Sequence, residues 1–242
     1  MRAFLINLDS NTDRLAAAKQ QLGAFGIAFE RFPAINGRAL SPAERSRHVA
    51  RFHARMARLD KLTPGEVGCS LSHMFVFRKM VEEGIGAALI FEDDVLLSDQ
   101  FPRALKKVEE SLDTSRPQVF LFTEWQETDI TGIGDKEFSI VPVQYALRAE
   151  AYVITLPAAR AIFKVNYPIV TMNDWWMRWR QRGLIELYGV RPASSTQRQN
   201  EFKSDVTPVK PKRPMGIKRL LWKLVRLPCV AIDWLYWMVL GK

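Results

Sequence analysis

Cysteine and histidine are both scarce in this chain. Two cysteines occur in 242 residues, Cys69 and Cys229, and their wide separation argues for reduced thiols rather than a disulfide framework. The three histidines all precede residue 74, which gives a histidine-based catalytic triad or a histidine zinc site little support. Long apolar runs are missing as well. Met1 to Asn7 holds too short an apolar stretch for a secretory signal, so the expectation is a body that stays in the cytoplasm. Acidic residues are nearly missing from the last segment. Pro208 to Lys242 carries eight Lys or Arg against Asp233 alone, a balance of +7, so the total of +9 leaves only +2 for residues 1–207. A nucleic-acid binder spreads its basic excess over the fold, and this distribution disfavours one. It points to a local partner for the tail.

What is present reads as strand and helix in alternation. Ala3 to Leu8 predicts a short buried strand, Asp9 to Asp13 a turn with several possible N-caps, and Asp13 to Gly23 a helix with Leu15, Ala18 and Leu22 at helical spacing. Ile27 to Phe32 predicts a second strand and Ala34-Ile35-Asn36-Gly37 a turn. This order favours a parallel sheet with right-handed crossovers. Residues 41–61 predict a basic helix starting at Ser41-Pro42, with Arg51, Arg55 and Arg58 on one face, either simply solvated or attracting phosphates. Thr63-Pro64-Gly65-Glu66 begins another helix that runs to Glu83, on which Gly68 and Ser72 would permit close approach of a neighbour. Beyond it, Phe101 to Leu112 predicts a helix, Val119 to Phe122 a strand, 126–138 a polar loop, Tyr145 to Leu156 a strand and Pro157 a further helix start.

The chemistry concentrates in Ala87 to Val95. An apolar run suited to a strand buried on both faces ends in Glu92-Asp93-Asp94. Ligands collect at the carboxyl ends of strands in open α/β sheets, and three adjacent carboxylates suit a divalent cation completed by phosphate oxygens. The alternative is a solvated acidic turn. His73 reads either as a ligand or phosphate donor or as a satisfied structural histidine. Asn173 to Trp179 holds three tryptophans, which read either as core or as a platform for a pyranose face. Asp174 beside them is placed to take a proton from an acceptor hydroxyl.

Several pieces together resemble glycosyltransferase family 25, the bacterial lipooligosaccharide galactosyltransferases related to collagen galactosyltransferases. They are Ile6-Asn7-Leu8-Asp9 with Asp13-Arg14, Ala34 to Gly37, Gly65 to His73, Leu89 to Val95, Ala151 to Ile154 with Ala158-Ala159, Asp174, and Ser204-Asp205-Val206. Their order and spacing carry the resemblance, which covers about residues 1–207. It implies a GT-A-like α/β fold, a mixed and mostly parallel sheet flanked by helices, and a UDP-sugar donor such as UDP-galactose. It also implies inverting transfer to a lipid-linked saccharide. By analogy with the family's acidic motif, Asp94 would be the direct Mn²⁺ or Mg²⁺ ligand, with Glu92 and Asp93 toward ribose and sugar. Asn7, Asp9 and Arg14 would hold the nucleotide, and Asp174, or else Glu124, would be the general base. Many such enzymes take a late histidine as a metal ligand. This chain has none after His73, so Asp205, or water and phosphate, would complete the shell.

The tail reads as a Pro- and Lys-containing linker, 208–216, followed by a basic amphipathic membrane-associating segment, 217–242, in which Ile217 to Leu227 would form a helix. Lys218, Arg219, Lys223 and Arg226 share one arc, with Leu220, Leu221, Leu224 and Leu227 opposite. Such a helix lies in a membrane interface, and seven basic residues from Lys210 to Arg226 at about 1 kcal/mol each favour an anionic surface. Leu227 to Leu240 is interrupted by Asp233 and is shorter than the about 20 residues needed to span a bilayer. The reading is therefore a peripheral enzyme on the inner face of a bacterial cytoplasmic membrane. The alternative is a non-catalytic membrane adaptor.

Overall fold

The computed structural model describes residues 1–50, 62–124, 138–143, 146 and 148–198. In chain order the elements are β1 (Arg2–Asn7), α1 (Thr12–Ala24), β2 (Glu30–Pro33), α2 (Pro42–His48), α3 (Pro64–Glu83), β3 (Ala87–Glu92), β4 (Val95–Leu97), α4 (Phe101–Ser111), β5 (Gln118–Leu121), β6 (Ser139–Pro142), β7 (Ala151–Thr155), α5 (Leu156–Asn166), α6 (Trp176–Gln181), β8 (Glu186–Arg191) and β9 (Ser195–Gln197). Seven strands form one sheet in the order β2-β1-β3-β7-β5-β8-β6, and β4 pairs with β9 in a second, two-stranded sheet. β1 is parallel to β2 and β3, and β5 to β8, whereas β7 and β6 run against their neighbours. The expected mixed, mostly parallel α/β sheet is therefore present, with five strands in one direction and two reversed.

Successive residues of a strand face opposite sides of the sheet, and here both sides are apolar. Phe4 and Ile6 of β1 and Ala88 and Ile90 of β3 join α3, α5 and α6 in one buried cluster. Ala3, Leu5, Leu89 and Phe91 join α1 and α4 on the other face, where the Phe101 ring packs at a tilt 5.7 Å from Phe91 and 4.8 Å from Phe122. Three layers result, with the sheet in the middle. The strands are short, buried runs because each is covered twice.

Differences from expectation fall at element ends. The basic helix closes at His48, where Val49 turns extended and bridges Ile169. Arg51, Arg55 and Arg58, the 126–137 part of the polar loop, and the linker and tail lie outside the described residues. The second strand begins at Glu30, later than expected, and β7 begins at Ala151. No helix among the described residues is long and apolar enough to cross a membrane.

Two features place the cleft. β1 leads through α1 to β2 on one side, while the chain returns through α3 to β3 on the other, so β1 and β3 form a topological switch point, where α/β sheets bind ligands. The second is the seating of α3, whose first turn is closed by a capping box: Glu66 N donates to Thr63 Oγ1 at 3.2 Å and Thr63 N to Glu66 Oε2 at 2.6 Å. Gly68 and Gly37 let the 34–37 turn lie directly on it. A Cβ at Gly37 would sit 1.8 Å from the Pro64 carbonyl oxygen, and one at Gly68 2.4 Å from that of Ile35. Ser72 completes the seam, its Oγ accepting from Ile35 N at 2.8 Å and donating to the Gly68 carbonyl at 2.7 Å.

Candidate active site

Beyond the carboxyl ends of β1 and β3 lies a cleft that opens to solvent. Its walls include Leu8, Ser10 and Asn11 after β1, the turn around Asn36 and Arg38, Cys69 and His73 of α3, and Glu92, Asp93 and Asp94. The acidic cluster is therefore not a solvated turn. Glu92 ends β3, and Asp93 and Asp94 form the reversal into β4. That reversal is pinned on its far side, where Arg198 N donates to the Asp94 carbonyl at 2.8 Å.

The three carboxylates have three environments. Asp93 is 8% exposed and fully engaged, accepting from Asn7 Nδ2 at 2.7 Å and from Arg14 Nη1 at 3.1 Å. Arg31 steadies Asn7 in turn, donating from Nε to its side-chain oxygen at 2.9 Å, and it pairs with Asp9, whose side chain is 82% exposed. Asn7 and Arg14 are thus committed to Asp93, and Asp9 points to solvent beside Arg31. Of these three expected nucleotide contacts, only Arg14 lines the cleft.

Asp94 has a buried Oδ1 with no hydrogen-bond partner among the described residues. Burial, then the charges of Glu92 and Asp93, raise its pKa to about 7 against the relief given by Arg14. Glu92 is likewise raised to about 7, by burial and then by Asp93. Leaving an ionised oxygen buried and unmatched is costly, and a hard cation would satisfy it. The residues present fit such an ion.

His73 is fully buried on α3. Its Nδ1 lies 2.7 Å from the Tyr152 hydroxyl and its Nε2 3.1 Å from Glu92 Oε1. Burial lowers its pKa to about 4, so it is a neutral imidazole linking the acidic motif to the core. Cys69, one turn earlier, is a free thiol whose pKa burial pushes well up, with Glu92, Asp174 and Asp94 adding to the effect.

Asp174 does not line the cleft but lies behind it. Its neighbour Asn173 accepts from Cys69 Sγ at 3.6 Å and Ser70 Oγ at 3.4 Å. Burial and then Glu92 raise the Asp174 pKa to about 7, eased by His73, and its Oδ1 is buried without a hydrogen bond among the described residues. Glu124 is exposed beyond β5, and Asp205 lies outside the described residues. The tryptophan platform is corrected in part: Trp176 and Trp179 are buried in the core, with Trp176 Nε1 donating to the Arg148 carbonyl at 2.7 Å. Only Trp175 of the three is partly exposed.

Sequence reasoning missed Glu150. Fully buried before β7, it accepts from Thr123 Oγ1, its carbonyl receives Glu92 N at 3.0 Å, and burial raises its pKa to about 7. A lone acid ahead of a strand has no local pattern to mark it. Cys69 was visible only as part of a motif, although its i, i+4 spacing to His73 already placed both on one helical face.

Comparison with known proteins fits this geometry. The sequence matches the family model of glycosyltransferase family 25, described as LPS biosynthesis protein, over residues 1–177. A glycosyltransferase 25 family member of Anopheles gambiae is 28% identical over 167 residues, 66% of this chain and 28% of that protein. Procollagen galactosyltransferase 1-A of Xenopus laevis is 25% identical over 185 residues, 70% of this chain and 29% of that protein. A Rattus norvegicus protein named probable inactive glycosyltransferase 25 family member 3 is 29% identical over 113 residues, 42% of this chain and 18% of that protein. The matched regions thus span less than a third of these relatives' own length. On this chain the family match runs from β1 into α6 and takes in every residue that lines the cleft; the chain belongs to glycosyltransferase family 25.

Proposed function

We propose that this chain is a metal-dependent, inverting hexosyltransferase that moves galactose from UDP-galactose to a lipid-linked saccharide. The observation that carries the reading is the buried Asp94 Oδ1, without a hydrogen-bond partner among the described residues, beside Glu92 at the β1–β3 switch point. Asp94 and Glu92 would hold Mn²⁺ or Mg²⁺, with Asp205 a further candidate ligand. Such an ion, when bound, neutralises the departing diphosphate.

The remaining work falls to this chain's own side chains. Asn7 and Arg14 clamp Asp93 and so fix the backbone reversal that aims Asp94 into the cleft. Arg38, an exposed cation lining the cleft, suits a phosphate oxygen. Asp174, with its pKa raised to about 7, would act as the base only where an acceptor hydroxyl reaches past the cleft wall to it, directly or through one water. The basic tail would bring the enzyme to an anionic membrane surface that holds the acceptor. Galactose is supported by relatives such as the Xenopus laevis procollagen galactosyltransferase.

A donor screen tests this reading. The full chain, Mn²⁺ and a short glycolipid acceptor are incubated with a panel of UDP-hexoses, and product is read by mass spectrometry. UDP-galactose should be used best. Absence of transfer from every UDP-hexose would favour a non-catalytic binding protein.

A further inference from the structure

We propose that Cys69, His73 and Glu92 form a binding site for a soft divalent cation such as Zn²⁺, on the wall of the cleft and adjoining the oxygen site at Asp94. One donor atom from each of the three lies within 4.8 Å of the others. Cys69 and His73 stand one turn apart on α3, so both project from the same helical face. Glu92 meets them from the end of β3, 3.1 Å from His73 Nε2.

Three further observations support a metal rather than a simple hydrogen-bonded cluster. Zn²⁺ with bonds of about 2.0–2.3 Å places its ligand atoms roughly 3.3–3.8 Å apart, so the three donors need close by only about 1 Å. The imidazole is already oriented, because Nδ1 is held by the Tyr152 hydroxyl at 2.7 Å and Nε2 is left facing the site. An outer partner of this kind fixes a metal-binding histidine. Finally, Cys69, His73 and Glu92 all line the cleft, which gives an ion both an entry path and room for water in an open position. The scarcity of histidine in the sequence does not exclude such a site, since a Cys-His-carboxylate set needs only one.

Binding proceeds by proton release. The Cys69 S–H bond breaks, its proton leaves to solvent, and a sulfur–metal bond forms. The proton shared by His73 Nε2 and Glu92 leaves as well, freeing one nitrogen and one oxygen donor. Thiolate and imidazole favour Zn²⁺, Co²⁺ or Cd²⁺ over Mg²⁺. An ion here also draws Glu92 away from the Asp94 side, so Zn²⁺ opposes any turnover that depends on Mn²⁺.

Neither a sugar donor nor turnover is needed to test the site, so its failure and that of the proposed activity are separable. The full chain without nucleotide is titrated with Zn²⁺ by calorimetry, and with Co²⁺ while the near-ultraviolet thiolate-to-cobalt absorption is followed. One ion per chain is expected, with the sulfur band present in wild type and in Cys229→Ser and lost in Cys69→Ser. Zn²⁺ affinity should fall about tenfold or more in Cys69→Ser and His73→Gln and stay within about threefold in Asp94→Asn, the scale set by direct ligands and their neighbours. Bound Co²⁺ without a sulfur band in wild type overturns the proposal whether or not the variants fold. So does Zn²⁺ affinity in folded Cys69→Ser equal to that of wild type.

Discussion

Asp94→Asn should stabilise the cation-free protein while abolishing its response to Mn²⁺. The carboxyl is raised from 3.8 to about 7 by burial and by Glu92 and Asp93. At about 1.4 kcal/mol per tenfold change, the ionised form costs the fold up to roughly 4 kcal/mol. Part of that cost belongs to the coupled Asp94–Glu92 pair rather than to Asp94 alone, so a realised gain of about 2 kcal/mol is expected. The sign follows from linkage. A group whose pKa is higher in the folded state favours folding fully below its unfolded value, and that advantage is lost as pH rises through the folded value. The variant's advantage should therefore be absent near pH 4, grow through the interval up to about 7, and be complete at pH 8. For a chain of this size it amounts to roughly 4–8 °C in Tm. Saturating Mn²⁺ reverses the order: at a hundredfold excess over Kd wild type gains about 2.7 kcal/mol and Asp94→Asn gains nothing. Thermal melts at both pH values, with and without Mn²⁺, decide the matter. A variant less stable than wild type at pH 8 without cation, or equal Mn²⁺ stabilisation of both proteins, would refute the reasoning.

Arg14→Met leaves Asp93 buried with half its partners and should cost about 3 kcal/mol, read by urea denaturation; a loss below about 1 kcal/mol would show the pair to be peripheral. Gly37→Ala drives a methyl into the Pro64 carbonyl oxygen and should destabilise by about 3 kcal/mol or more, in contrast to Gly23→Ala, where a Cβ meets nothing within 4 Å. The 242-residue chain should float with anionic liposomes, and a chain ending at residue 207 should not. Equal partitioning of the two would remove the tail's role.

The sequence was most informative where a local pattern and a tertiary role coincide. The run Ala87 to Phe91 read as a doubly buried strand with three acids at its carboxyl end, and that is where the cleft is found. Gly68 and Ser72 announced a close approach that the 34–37 turn supplies. What stayed hidden depends on long-range pairing. A strand buried on both faces reads alike in either direction, so the reversal of β7 could not be seen in Ala151 to Thr155. Asn7 and Arg14 were expected as nucleotide contacts because they sit at and just after the end of the first strand, and their hydrogen bonds to Asp93, 86 and 79 residues away, could not be seen locally. Trp176 and Trp179 carry the same letters whether they stack on a sugar or fill a core, and the packing of α6 against Tyr152 at 4.9 Å decides for the core.

The most direct test of the account is UDP release from UDP-galactose by the full chain, with and without Mn²⁺, in wild type and Asp94→Asn. The account predicts Mn²⁺-dependent release by wild type and a loss of about a hundredfold or more in the variant, the scale of removing one preorganised charge-stabilising group. Release that ignores Mn²⁺, or that Asp94→Asn sustains at the wild-type rate, would contradict it.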